Sequence, residues 1–439
     1  MFLYNLRIAF KSLRRNLGLS ALTVGGIALG IGVATLFTTI RHALSHDPIP
    51  GKSARLHYVR LDNWDPARPH PNDAGIPPQI TYRDMVEIMK SDIPARQGGM
   101  FKADLYLFPD PKVARPKQMT VRLCFSDFFT MFDVPFKYGS GWDRKADQGP
   151  EPVVVLGEES NDLLFGGADS VGRTVRIADR EFRVVGVVDR WRPAVKFYDI
   201  TQANVMPPEQ VFIPFNFLRP MQVRTAGNSD GWKGLPGPGP EGFLASEQTW
   251  IQMWVELPDA AARERYQDFL KAYVNDQKRH GRFPRPLRVE VTPLMAWLEE
   301  QKVTPPEVTA MMVVSLLFLA VCALNLTGLL LAKFLARAPE IGVRRALGAS
   351  RKHVFLQHVV ECEAVGLLGG VLGIGLSMAG LAAVNGWAMA TIQRGDLFRI
   401  DLTMGFVAFG LSLLAGLVAG LYPAWRVCRI PPAVHLKLQ

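Results

Sequence analysis

The run Glu340-Ile341-Gly342-Val343-Arg344-Arg345-Ala346-Leu347-Gly348-Ala349-Ser350 stands between two long apolar segments. With Arg351 and Lys352 it carries four basic residues within a few turns. Ile341, Val343, Ala346 and Leu347 recur roughly at helical spacing and Gly348 reads as a helix stop, so the run predicts a short amphipathic helix. The segments on either side are long and apolar enough to cross a bilayer. A short helix pinned between two spans can push on something or be pushed.

Working outward, the 439 residues are 48% hydrophobic on average, but the apolar residues are concentrated in a few runs. The net charge of +10 is equally uneven. Ser45 to Pro305 holds 34 Lys/Arg against 34 Asp/Glu, and the remaining 16 basic and 6 acidic residues lie in or beside the apolar runs. Positive charge flanking apolar spans orients a membrane protein and argues against nucleic-acid binding. Of the four cysteines only Cys124 falls in the neutral middle segment, while Cys322, Cys362 and Cys428 accompany the apolar runs. No pair has zinc spacing, and a lone cysteine forms no intrachain disulfide within the middle segment.

Residues 1–16 read as a basic amphipathic helix on the membrane surface, with Leu3, Leu6, Phe10, Leu13 and Leu17 on one face and Arg7, Lys11, Arg14 and Arg15 on the other. Residues 17–44 hold the first transmembrane helix, whose 24 uncharged residues from Leu17 to Ile40 make about 36 Å of helix. Span two is expected over Val308–Ala332, span three from near Ala364 to about Ile392, and span four over Leu402–Trp425. The three segments assigned to the cytoplasm carry 4, 6 and 3 basic residues, whereas Gln393–Asp401 balances Arg394 and Arg399 against Asp396 and Asp401. The expected topology is N-in and C-in with four spans, and residues 45–305 on the far side.

Within 45–305 the alternation of Arg55–Leu61, the apolar run Pro152–Leu156 and the hairpin Arg173–Ile177/Glu181–Val188 read as strands. Trp250–Leu257, Ala260–Gln277 and Leu287–Val291 read as strand, helix and strand. These outline an α+β unit interrupted by a mostly-β insert from about 150 to 210, and the charged residues read as a solvated surface. Residues 227–242, rich in glycine and proline, read as a loop.

Small residues recur at four-residue spacing in three spans, as Gly26/Gly30, Gly366/Gly370, Gly369/Gly373 and Gly416/Gly420, which predicts close helix packing in the chain or to a partner. Glu361 and Glu363 stand where span three enters the membrane, Glu361 read as an acid at headgroup level, with the alternative that one of the two pairs with Arg14 or Arg15. Gly51-Lys52-Ser53 resembles the end of a phosphate loop, but His46 occupies the place of its first glycine, so no ATP site is expected in this chain. His353 and His358 read as ordinary polar positions, with no metal set and no catalytic triad or carboxylate pair.

On these residues the chain resembles permeases of the MacB/FtsX-type ABC transporter superfamily. Glu340–Ser350 is similar to the family signature E-I-G-[VIL]-x-[RK]-A-[LI]-G-[AM]-[ST], and Glu361 with Gly369, Gly370 and Gly373 to its glycine-rich third span. Tyr422-Pro423-Ala424-Trp425-Arg426 and Pro431-Pro432-Ala433 resemble its C-terminal ending. Phe128–Gly141, Val153–Leu156, Gly172–Asp189 and Val211–Pro214 are similar to the MacB-type periplasmic domain.

The resemblance implies an α-helical membrane protein with four transmembrane helices and, between helices one and two, a large α+β periplasmic domain comprising a discontinuous α+β subdomain and a β-rich insert. Residues 306–439 then form an FtsX-like domain with the coupling helix at 340–350. MacB itself carries a fused ATPase, whereas this sequence starts at the membrane helix. A separate ABC ATP-binding subunit holding ATP and Mg is therefore the expected partner. Residues 340–350 would contact it, with Ile341, Val343, Ala346 and Leu347 in its groove and Arg344 and Arg345 paired to acids around it. Pro423, Arg426, Pro431 and Pro432 make a second cytoplasmic contact. The resemblance further implies a second permease, identical or paralogous, in the bilayer of a bacterial inner membrane, and on the export reading a periplasmic adaptor and an outer-membrane channel. The leading function is export or efflux driven by periplasmic conformational change. Lipoprotein release and FtsX-like signalling to a periplasmic hydrolase are the alternatives, and the large two-part domain favours export.

Overall fold

The computed structural model describes residues 17–108, 116–201 and 205–429. The amphipathic helix expected over 1–16, with Arg14 and Arg15, and the prolines Pro431 and Pro432 lie outside them. The chain divides into two compact units, Asp47–Val303 and the segments on either side of it.

The flanking unit holds four helices long and apolar enough to span a membrane: Leu17–Ser45, Pro306–Leu335, Arg351–Ile392 and Leu402–Cys428, here spans one to four. Span three starts at Arg351 rather than near Ala364. Ser350 caps it, its hydroxyl accepting from the His353 N–H at 3.2 Å, so the basic stretch is helical and continuous with the apolar one. Its 42 residues run about 63 Å, twice the hydrocarbon thickness of about 30 Å.

Span three is the wedge of this unit, and its glycines sort onto two faces. A Cβ at Gly366 would meet the Ser412 carbonyl oxygen at 2.9 Å, and one at Gly370 the Ser412 Cβ at 2.6 Å, both on span four. One at Gly373 would lie 2.9 Å from the Ala28 carbonyl oxygen, and one at Gly369 would overlap Ile27, both on span one. Gly416 and Gly420 approach span three at Glu363 and Cys362, and Gly30 approaches Leu319 and Cys322 of span two. Gly26 is exposed, with nothing within 4 Å, so it packs against nothing in the described chain. Glycine here lets backbones approach closely where lipid supplies no hydrophobic drive.

The Asp47–Val303 unit runs β1 (Leu56–Leu61), β2 (Ile80–Thr81), α1 (Tyr82–Ile88), β3 (Arg96–Phe108), β4 (Lys117–Cys124), α2 (Asp127–Met131), β5 (Phe136–Gly139), α3 (Arg144–Gln148), β6 (Val153–Leu156) and α4 (Glu158–Phe165). It continues with β7 (Thr174–Ile177), β8 (Arg180–Val188), β9 (Val211–Pro214), a 3-10 turn (Phe215–Leu218), α5 (Gly239–Leu244), β10 (Thr249–Glu256), α6 (Ala260–Arg279), β11 (Val289–Pro293) and α7 (Leu294–Glu300). The sheet order is β11-β1-β10-β3-β4-β9-β6-β8-β5. Antiparallel β1 separates β10 from β11, completing the strand–helix–strand passage. Helix α6 is capped by Asp259, which accepts from the Ala262 N–H at 2.7 Å, and buries Ala262, Tyr266, Leu270 and Val274 at four-residue spacing.

β3 belongs to both halves of the unit. Arg96–Met100 pairs with β10 and Phe101–Leu107 with β4. The β-rich part therefore begins at Phe101, well before the expected residue 150. The loop expected over 227–242 contains the start of α5.

The expectation of a solvated charged surface fails at several positions. Arg122 on β4 is fully buried and donates to Asp199 at 2.5 Å and to Glu209, which also accepts from Lys196 and, at 3.0 Å, from the Tyr198 hydroxyl. Gln252 on β10 donates to Asp199 at 3.2 Å, and the Trp254 indole N–H donates to the Tyr198 carbonyl at 3.0 Å. The network thus ties β4 and β10 to the segment before β9. Burial alone would raise the Glu209 carboxyl, but Arg122 and Lys196 outweigh it and hold it down at about 2. Asp199 is lowered by the same two cations against the same burial.

Candidate coupling site

The signature run begins where span two ends. The structure forms a helix over Ala338–Ala346, with Pro339 in its first turn, where a missing N–H costs nothing. Leu347 follows, and Gly348 at φ +100° turns the chain toward the Ser350 cap of span three. A left-handed residue at this position ends the helix without the strain a side chain would bring.

This helix has two unlike faces. Ala338, Ile341 and Gly342, at i, i+3 and i+4, are buried, and Ile341 shares a core with Phe334, Val354, Val427 and Cys428. Arg345, one turn on, donates from Nη1 to the Cys428 carbonyl at the end of span four, 3.2 Å away. Pro339, Val343, Ala346 and Leu347 are exposed, Leu347 to 83% and Val343 to 48%. Glu340 and Arg344 flank that face as an i,i+4 pair at 2.6 Å. Two expectations are thereby corrected: Ile341 does not belong to a docking surface, because it is spent in the chain's own packing, and Arg345 is turned inward to span four.

The helix is fixed at its base by a buried ion cluster. Glu361 on span three is 2% exposed and accepts from Lys333 on span two at 2.8 Å. Arg337 lies 3.6 Å from the same oxygen, and the His358 Nδ1 lies 3.8 Å from the other, its ring 4.2 Å from that of Phe334. Glu361 is therefore a buried clamp between spans two and three. The pairing with Arg14 or Arg15 lies outside the described residues. Lys333 and Arg337 count in the sequence only as positive-inside charges, although their places at the end of one span opposite an acid on the next offered a signal for this contact.

The remaining sequence-predicted residues separate. Pro423 is buried within span four and presents no contact surface, whereas Arg426 is exposed. Glu363 keeps both carboxylate oxygens buried, with no hydrogen bond to the described residues. Lys52 donates to the Asp133 carboxylate and the Thr130 carbonyl, so its ammonium is occupied within its own unit.

Comparison with known proteins gives the family. Residues 20–273 match the MacB-like periplasmic core domain and residues 312–432 the FtsX-like permease C-terminal domain. A macrolide export ATP-binding/permease protein MacB of Rhodospirillum rubrum is 25% identical over 99% of this chain, and the chain spans 60% of that relative's length. The uncharacterized ABC transporter permease YknZ of Bacillus subtilis is 22% identical over 100% of this chain and 99% of its own. The crystal structure of the periplasmic region of MacB from Actinobacillus actinomycetemcomitans covers 56% of this chain and 92% of its own, at 14% identity and a TM-score of 0.35. With both family domains matched in order along its length, this chain belongs to the MacB/FtsX-type family of ABC transporter permeases.

Proposed function

We propose that this permease converts ATP hydrolysis in a separate cytoplasmic ATP-binding subunit into movement of its periplasmic domain, driving export of a substrate from the bacterial inner membrane. The observation that carries the reading is the two-faced coupling helix. Its inner face is locked to spans two, three and four, and its outer face offers Pro339, Val343, Ala346 and Leu347. Burying an exposed valine or leucine in a partner groove is worth about 1.5–3 kcal/mol each. Force on that outer face reaches three spans through packed contacts and one buried ion cluster. ATP and Mg²⁺ are held by the partner, and the charge asymmetry of the short loops supports an N-in, C-in orientation. A second permease completes the assembly, and the exposed Gly26 is available on span one for that contact. Relatives named for macrolide and pyoverdine export favour export over lipoprotein release or signalling, with an adaptor and an outer-membrane channel as further partners.

The test is copurification in mild detergent. Wild-type chain should bring down one type of ATP-binding subunit, and Leu347→Asp should insert normally yet lose it. Retention of that subunit by Leu347→Asp and by Val343→Asp would remove the assignment.

A further inference from the structure

The Asp47–Val303 unit contains a cavity of about 520 Å³ that the coupling reading does not use. It lies where the chain crosses from β9 back to β10, between the end of the 3-10 turn, residues 222–225 and the start of α5. Its volume falls within the range that holds small ligands, about 300–1,000 Å³. The walls are mostly apolar, with Leu218, Val223, Leu235, Phe243 and Leu244, and Gln222, Thr225 and Ser229 add uncharged polar groups.

The cavity is preformed. Gly242 sits directly on the backbone of Gly237, where any side chain would collide with the Gly237 carbonyl, so the glycine–proline wall is held against α5. The facing turn is fixed by the Val223 N–H donating to the Leu218 carbonyl at 2.9 Å and the Gly227 N–H donating to the Thr225 hydroxyl at 3.1 Å. Walls that are rigid before binding cost a ligand little ordering entropy.

Charge selects the ligand. Three charged side chains line the cavity, Arg219, Arg224 and Glu241. Arg219 and Glu241 neutralise one another across 3.2 Å. Arg224 makes no ion pair among the described residues and leaves one positive charge on the rim of an apolar cavity. A guanidinium there matches a carboxylate in a two-pronged geometry while the apolar walls take the body attached to it.

We infer that this cavity is a binding site for a small molecule with a compact apolar body and a single carboxylate, held by Arg224 at the rim. The inference goes beyond the coupling reading and does not depend on an ATP-binding subunit. The experiment titrates 2-naphthylacetate, and separately its uncharged amide, into the full-length chain in nanodiscs by calorimetry, with protein-free nanodiscs subtracted. The acid should bind saturably and about threefold more tightly than the amide, the worth of one ionic contact at an exposed arginine. Arg224→Glu, on an exposed position, should abolish that preference, and Leu235→Asp should weaken both ligands. Absence of saturable binding up to millimolar acid, equal affinity for acid and amide, or acid affinity unchanged by Arg224→Glu would each overturn the proposal.

Discussion

Glu361 and Lys333 offer a direct measure of how firmly the coupling helix is tied to the spans. Both are buried, at 2% and 7% exposure, and their charged atoms lie 2.8 Å apart. Replacing Glu361 by leucine leaves the Lys333 ammonium buried without its nearest counter-charge, with Arg337 beside it. Breaking such a pair from one side costs about 3–5 kcal/mol, because the remaining charge stays desolvated. Replacing both partners by apolar residues of similar size restores most of the loss. In a unit of this size that cost corresponds to a fall in unfolding midpoint of roughly 6–20 °C. Cys362 adjoins Glu361 and is 1% exposed, so its labelling by a thiol-reactive fluorophore during a thermal ramp reads opening of this unit in a background with Cys124, Cys322 and Cys428 replaced by alanine. Glu361→Leu should label at much lower temperature than the parent, and Lys333→Met/Glu361→Leu should recover most of the difference. If each single change shifts the midpoint by less than 2 °C, or if the double change adds the two losses, the cluster is not the clamp described here.

Other consequences are as direct. Gly370→Val forces a side chain into Ser412 of span four, the span that covers Cys362 through Gly420, and should expose Cys362 to labelling in membranes, whereas Gly26→Val, with open space around it, should leave the chain's own packing unchanged. Glu209, held at about 2 against an ordinary 4.5, stabilises its unit above the unfolded value and loses that contribution as pH falls toward 2. The loss is roughly 3 kcal/mol, visible as an acid transition in tryptophan fluorescence from Trp254 and its neighbours. Arg122→Met should move that unfolding to higher pH and lower temperature, because two buried carboxylates lose their shared cation, and the same fluorescence measurement checks it.

The four spans were legible because long uncharged runs have no other stable environment. The buried charges were not. β1 alternates polar and apolar residues, which reads as a strand with one wet face, yet all six of its residues are buried. α7 covers the polar face: Arg60 lies 4.7 Å from the Trp297 ring and donates to Glu300 at 2.6 Å, pairing also with Glu290. Periodicity reports which residues share a face and is silent on what later covers it. The first half of β3 was hidden by Gly98-Gly99, whose low strand propensity masks a packing need, since a Cβ at Gly99 would lie 2.6 Å from Met85 Cγ. In the coupling helix the apolar residues could not be divided between faces from sequence, because nine residues of helix present apolar groups to two sides and only the fold decides which side is already taken.

The most direct measurement places a photo-crosslinking amino acid at Val343 or Leu347 on the outer face of the coupling helix, and at Val371 on the exposed face of span three as a control. After irradiation in living cells, the coupling-helix positions should form adducts with a single ATP-binding subunit and Val371 should form none. Absence of that adduct at both coupling-helix positions, in cells that express the ATP-binding subunit, would contradict the proposed coupling.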